Sequence, residues 1–497
     1  MELIDFRLAG DTLNQGAEME AKNLLFILSD QHRRDALGCY GHEVVRTPHL
    51  DALAARGTRF SNAYTNCPIC VPVRASLATG RYVHQIGNWD NGFPYDGQVP
   101  SWGHHLKAQG FRVDSIGKLH FRSPADDNGF TEEIDPLHVV DGIGDVLGCI
   151  RENALFRKKR GGIQEAGPGE STYLQYDASN ADQACRWLQA HRADDKPWVL
   201  FLSFVCPHPP YIAPADIFSG YPLNEVPLPP LWREEEWSTH PVMDYFRRYF
   251  DFARPFDEAV LRRLAATYYA VCTYLDQRIG QVLETLRQSG LEEDTRIIYT
   301  SDHGECLGSR GLFGKFTLHD EAAAIPFIMA GPQVPVGKVV ETPVSLVDCF
   351  PSVLEAVGAT PVDGDLPGGS LWEIARAAAR ERTVFSEYHA VGSRSASYML
   401  RRRQFKYLHH VGEAAQLFDL AADPLEQKDL LDAPECRSLV ADFKRELRAL
   451  LDPEAVDARA KVAQRAKVEE AGGEEAVRKK GAFDNSPVPG EVAVFKH

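Results

Sequence analysis

Asn23-Leu24-Leu25-Phe26-Ile27-Leu28-Ser29-Asp30 is a short apolar run that stops on a hydroxyl and a carboxylate. A continuous run of this length, without alternation, reads as a strand buried on both faces of a parallel sheet. The pattern recurs at 198–204 (WVLFLSF), 295–301 (TRIIYTS) and 325–330 (IPFIMA). Helical patterns separate these runs. The clearest spans 256–288, where Leu261, Leu264, Tyr268, Val271, Leu275, Ile279 and Leu283 recur every three or four residues. Strands alternating with helices predict a doubly wound α/β fold with a mostly parallel central sheet. Ligands of such sheets bind beyond the carboxyl ends of the strands. Here those ends lead to Asp30, to Asp302 and, through Pro207-His208-Pro209-Pro210, to a histidine.

The remaining sequence sets bounds around this core. Of the 497 residues, 54 are Lys or Arg and 70 are Asp or Glu, a formal net charge of −16. That balance argues against a nucleic-acid surface, yet leaves room for a small basic pocket. No run of about 18 apolar residues exists to span a membrane. Residues 1–22 read as a polar arm, without the basic start and apolar run of a secretory signal. The ten cysteines are scattered, which suggests a reduced, cytoplasmic protein. Residues 23–380 are assigned to the α/β domain, although 139–180 are Gly-rich and receive no element. Residues 381–452 form a small α+β subdomain, with short antiparallel strands at 383–387, 397–401, 405–409 and 416–420 and a helix near 437–451. Residues 453–497 form a tail. Its charged, Ala-rich composition favours a solvated segment. Its apolar end, 488–497, instead favours docking on a neighbouring subunit and so a homo-oligomer.

The most specific stretch is Cys67-Pro68-Ile69-Cys70-Val71-Pro72-Val73-Arg74-Ala75-Ser76-Leu77-Ala78-Thr79-Gly80-Arg81. Its C-x-x-C spacing is a weak redox or zinc signal, because no second pair or His cluster completes a zinc site. A buried structural cysteine is the other plain reading. However, Cys70-x-Pro72-x-Arg74 followed by Thr79-Gly80-Arg81 resembles the signature of the type I sulfatases of the alkaline phosphatase superfamily. The similarity runs from about residue 23 to 430 and is nearest to cytosolic choline-sulfatase-like and phosphonate monoester hydrolase-like members. It implies an alkaline-phosphatase-like sandwich with a smaller C-terminal antiparallel sheet. It also implies that a separate formylglycine-generating enzyme oxidises Cys70 to formylglycine. One hydroxyl of the hydrated aldehyde would attack sulfur to give a covalent sulfo-enzyme, and the other would expel sulfate. Val73 departs from the family, where Ser, Ala or Cys is more usual.

The same resemblance supplies a metal set. Asp30 matches the first metal carboxylate, and Gln31 stands where many members carry a second Asp. Ser301-Asp302-His303-Gly304-Glu305 resembles the second metal motif. The implied ligands are Asp30, Asp302, His303 and the side chain of residue 70, with Gln31 as ligand or close neighbour. Oxygen-rich ligation favours Ca2+, and the imidazole leaves Mn2+ as an alternative. Gly117-Lys118-Leu119-His120 matches a K-x-H pair, whose members share one side of an extended segment. Segments 206–211 and 311–315 match those that supply His208 and Lys315.

By resemblance, Arg74 would hold the diol and Asp302 would help to deprotonate it. His120 would take the second hydroxyl's proton. His208, with Lys315, would protonate the departing alcohol or phenol. Asn91, in Asn88-Trp89-Asp90-Asn91-Gly92, would face the substrate together with Lys118, His208 and Lys315. Arg74, Lys118, His120, His208 and Lys315 together match the charge that develops in sulfuryl transfer. The implied substrate is a small-molecule sulfate ester. The rival enzyme reading is a phosphonate monoester or phosphodiester hydrolase with the same site. That group carries a Tyr-x-Thr pair where Lys118 and His120 stand, which favours sulfate here. A catalytically idle binding protein would show an eroded nucleophile segment, and this one is complete.

Overall fold

Eight strands of the computed structural model, which describes residues 19–362 and 364–496, make one central sheet. In chain order they are β1 (Asn23–Asp30), β2 (Gly57–Phe60), β3 (Arg112–Lys118), β4 (Glu132–Leu137), β5 (Trp198–Pro207), β6 (Thr295–Ser301), β7 (Phe327–Ala330) and β8 (Lys338–Val340). The spatial order is β8-β2-β7-β6-β1-β5-β3-β4. β1 lies between β5 and β6, parallel to both, with Leu25 opposite Leu200 and Ile297. Its apolar residues are fully buried, as the run without alternation requires. Only β7 runs against its neighbours β6 and β2. It starts at Phe327 rather than at residue 325 because Pro326 has no N–H to give to a ladder.

The helices Thr172–Ala190 and Glu258–Gln288 pack on each other and on β5. A second group, Cys70–Thr79, Trp102–Ala108 and Cys349–Ala356, packs together beside β1. The helix Thr172–Ala190 begins inside the stretch 139–180 that receives no element from the sequence, which also holds short helical turns at Val140–Gly142, Val146–Cys149 and Arg160–Gln164. Ser171 caps the long helix by accepting from the Leu174 N–H.

Four antiparallel strands, β9 (Thr383–Tyr388), β10 (Ser397–Arg402), β11 (Phe405–His410) and β12 (Gln416–Asp419), make the separate small sheet. Tyr407 stacks on Phe443 of the helix Arg437–Leu450 at 5.7 Å between ring centroids. Lys406 is fully buried and pairs with Asp320 and Glu426, which ties the small sheet to the main body.

The tail differs from the solvated-segment reading. Its charged stretch forms two helices, Pro453–Glu470 and Gly473–Lys480, packed on the chain's own body. Val456 and Ala460 are buried, Asp457 accepts from the Ala396 N–H at 2.7 Å, and Gln464 accepts from Arg151 at 3.0 Å. Asp484 pairs with Lys159 at 2.6 Å, so the final segment also lies on its own chain. Val492 and Val494 stay exposed. The first 18 residues of the expected arm, and His497, lie outside the described residues. Among the described residues no helix is long and apolar enough to cross a membrane, and the ten cysteines are free.

Candidate active site

The carboxyl ends of four adjacent strands supply the polar groups. β6 leads into Asp302, β1 ends at Asp30, β5 leads into His208, and β3 ends at Lys118. All four residues meet at one edge, where ligands of such sheets bind. Two turns there use the left-handed backbone region at non-glycine residues, Gln31 (φ 69) and His120 (φ 56). Such conformations cost free energy and are held by their surroundings. For Gln31 the hold is visible: its N–H donates to Asp302 Oδ1 at 3.1 Å, and its carbonyl accepts from the Tyr268 hydroxyl at 2.7 Å.

Cys70 opens the helix Cys70–Thr79, every residue of which is buried. Pro72 sits in the first turn, where its missing N–H breaks no intrahelical bond. The Val71 N–H, one of the free donors of that turn, is accepted by Asn91 Oδ1 at 3.2 Å. The helix ends at Gly80, φ 66, whose N–H returns to the Ser76 carbonyl at 2.9 Å. A Cβ at Gly80 would lie 2.7 Å from the Phe350 Cβ, so both conformation and space require glycine.

Around Cys70 Sγ lie His303 Nε2 at 3.2 Å, Lys315 Nζ at 3.2 Å and Asp30 Oδ1 at 3.7 Å. One ligand atom each from Asp30, Cys70, Asp302 and His303 lies within 4.8 Å of the others. His303 Nδ1 faces the Gly304 carbonyl at 3.1 Å, which leaves Nε2 to face the cluster, as a metal-binding imidazole needs. Burial alone would lower the His303 pKa, but the Asp302 charge more than reverses it. The point between these groups thus attracts positive charge, and the donor set fits a divalent cation.

Arg74 lies below the cluster. Its Nε donates to Asp302 Oδ2 at 3.0 Å and its Nη2 to Asp30 Oδ2 at 3.2 Å, while Nη1 donates to Ser203 Oγ and the Lys118 carbonyl. The guanidinium therefore forks between the two carboxylates. Lys118 Nζ adds a contact of 2.6 Å to Asp30 Oδ2. Burial opposes ionisation of Asp30, yet Lys118, Lys315 and Arg74 hold its carboxyl well below the usual range. The Cys70 thiol is likewise lowered: burial and Asp30 oppose this, and Lys315, His303 and Lys118 outweigh them.

The two remaining histidines behave differently. Burial, with Lys315, pushes His208 well below its ordinary value, and burial with Lys118 does the same to His120. Both shifts favour the neutral imidazole. His208 Nδ1 is 2.7 Å from the Pro209 carbonyl, which fixes the proton on that nitrogen and leaves Nε2 an acceptor. His120 Nε2 lies 3.0 Å from Ser486 Oγ, a residue of the folded-back tail.

The structure thus brings together Asp30, Cys70, Arg74, Lys118, Asp302, His303 and Lys315, whereas the hydrogen bonds of His120 and His208 go to Ser486 and Pro209. Gln31 is close by, but its side chain turns to Lys315 and Glu305 instead of the ligand cluster. Asn91 caps the nucleophile helix. Sequence reasoning missed Ser203, Tyr173, Glu305 and Ser486. Ser203 had a signal, as the one hydroxyl in the apolar run 198–204. Ser486 had none, because its carbonyl meets the Tyr173 hydroxyl at 2.6 Å across 313 residues.

A family model described as Sulfatase matches residues 22–359, and one described as N-sulphoglucosamine sulphohydrolase, C-terminal, matches 308–452. A choline-sulfatase of Rhizobium meliloti (strain 1021) is 30% identical over 461 residues, covering 89% of each chain. Arylsulfatase K of Bos taurus is 29% identical, over 87% of this chain and 82% of the relative. Among solved structures, the phosphonate monoester hydrolase SpPMH from Silicibacter pomeroyi superposes with a TM-score of 0.71. It is 25% identical and covers 86% of this chain and 94% of its own.

Proposed function

The chain belongs to the sulfatase family and is a sulfuric ester hydrolase, and we propose that it cleaves sulfate monoesters to an alcohol or phenol and sulfate through a nucleophile made from Cys70. The observation that carries this reading is the convergence of Asp30, Asp302, His303 and Lys315 on the Cys70 side chain. The thiol Sγ marks where the oxygens of formylglycine would sit after oxidation by a formylglycine-generating enzyme. A divalent cation held by Asp30, Asp302 and His303, Ca2+ by its oxygen ligands or Mn2+ by its imidazole, would supply Lewis-acid charge at that position.

The chain's own residues do the rest. Arg74 keeps both carboxylates turned toward residue 70, and Asp302 receives a proton there. Lys118 and Lys315 set positive charge where the sulfuryl oxygens lie. Neutral His120 is suited to accept the second proton. Lys315 Nζ lies 3.2 Å from Cys70 Sγ, and the charges of Cys70, Asp30 and Asp302 outweigh the burial that would lower its pKa. It holds the leaving oxygen. His208 joins as a donor once an anionic ester raises its pKa.

A phosphonate monoester or phosphodiester is the second reading, supported by the likeness to SpPMH. Lys118 and His120 favour sulfate. The test is mass spectrometry of the peptide holding residue 70, from protein made with a formylglycine-generating enzyme. An aldehyde or its hydrate is expected, together with loss of turnover in Cys70→Ala. Full sulfatase turnover from a preparation carrying only thiol would overturn the nucleophile.

A further inference from the structure

Glu305 is fully buried, yet both of its oxygens are satisfied. Oε1 accepts from the Leu307 and Gly314 N–H groups, each at 2.7 Å. Oε2 accepts from the Tyr211 hydroxyl at 2.8 Å and from Gln31 Nε2. A buried carboxylate is costly unless its lone pairs are filled, and here all four partners belong to the active-site edge. Gly314 immediately precedes Lys315, and Gln31 immediately follows Asp30. Gln31 Oε1 in turn accepts from Lys315 Nζ at 2.7 Å, and the same ammonium reaches Cys70 Sγ at 3.2 Å.

We propose that Glu305, Gln31 and Tyr211 form a positioning relay that aims Lys315 at the leaving oxygen, with Gln31 acting as an orienting amide and not as a metal ligand. This rests on the reading of Lys315 given above. The Gln31 backbone is pinned at both its N–H and its carbonyl, and its amide is held by Glu305 on one side and Lys315 on the other. The amide passes orientation from the Glu305 carboxylate to the ammonium without placing a third carboxylate, beside Asp30 and Asp302, against the ammonium. A carboxylate in direct contact with Lys315 would offset its charge and repel an anionic ester. Lys315 has three N–H donors. One is held by Gln31, one faces residue 70, and the third is left for the ester oxygen.

The test uses the matured, metal-loaded enzyme and a series of aryl sulfates of graded leaving-group pKa. Gln31→Met keeps the volume and removes both polar atoms. It should retain full metal by elemental analysis. Its kcat/KM should fall about 10-fold or more on the poorest leaving group, with little change on the best. Lys315→Ala should steepen the leaving-group dependence at least as much. The double variant should be no slower than Lys315→Ala alone, because the two act through one group. Glu305→Gln should follow Gln31→Met in the same sense. If it does not fold, by circular dichroism, Gln31→Met decides alone. Metal loss in Gln31→Met, or an equal loss on every leaving group, would overturn the relay. If Lys315→Ala itself leaves the dependence unchanged, the reading of Lys315 fails and the relay with it.

Discussion

Arg74 shows how a residue that a motif places in a site can make contacts beyond those the motif implies. The motif suggests that it holds the diol. In the structure its guanidinium spans Asp30 and Asp302 and also reaches Ser203 and the Lys118 carbonyl. A lysine ammonium cannot make that planar fork. Arg74→Lys should therefore lower kcat/KM by about 10²-fold, the size of a misaligned charged site, in steady-state assays on folded protein. An unchanged rate would show that the fork is dispensable. Asp302→Ala removes a carboxylate that also takes the Gln31 and His303 N–H groups. It should lose stoichiometric metal and at least about 10³-fold in activity, and retained metal by elemental analysis would refute its role as ligand. Asp30, Cys70, Arg74, Asp302 and His303 were legible because each stands in a short contiguous motif. Glu305, Ser203 and Ser486 were not, because their roles come from contacts across 94 to 366 residues.

At the scale of elements, the apolar strands declared themselves and the polar ones did not. β3 (RVDSIGK) is interior to the sheet but carries Asp114, whose charge is met by Arg112 at 2.6 Å and by Trp187 Nε1 at 2.8 Å. The Trp187 partner lies 73 residues away, so the pattern of the strand alone reads as irregular. The helix Pro453–Glu470 hid for a related reason: it buries few large apolar residues and anchors through Asp457 and Gln464. The small sheet was legible, with β9 to β12 within a residue of the expected strands. β9 places Glu387 in a buried cluster, where its carboxylate takes the His84 N–H and Nδ1 at 3.0 Å and His389 Nε2 at 2.7 Å. Burial would raise its pKa, but His84 and His389 hold it at about 2 against an ordinary 4.5. A depressed folded-state value stabilises above the unfolded pKa, and that stability is lost as pH falls toward the folded one. Glu387→Gln should therefore be less stable than the parent at pH 7, on the order of 3 kcal/mol. The gap should close between about pH 4.5 and pH 2 in denaturant unfolding. A gap independent of pH would show that the ion pairing is not its source.

The whole molecule assembles its site from segments spread between Asp30 and Ser486. The tail was expected to be solvated, and it folds over its own chain. Val468 and Val477 pack on Val146, Leu147, Cys149 and Ile150. Truncation after Asp452 should thus lower the melting temperature by several degrees even at dilutions where no assembly persists. An unchanged melting temperature, with loss of assembly by light scattering, would favour the neighbour-docking reading, to which exposed Val492 and Val494 lend themselves. The central claim is that this assembled site is a sulfate ester hydrolase and that Lys118 and His120 tune it away from phosphodiesters. The most direct measurement is the ratio of kcat/KM for an aryl sulfate to that for an aryl phosphodiester with the same leaving group, on matured enzyme. A ratio well above one is expected, falling in Lys118→Tyr/His120→Thr. A ratio below one in the parent protein, or one that the double substitution leaves unmoved, would contradict it.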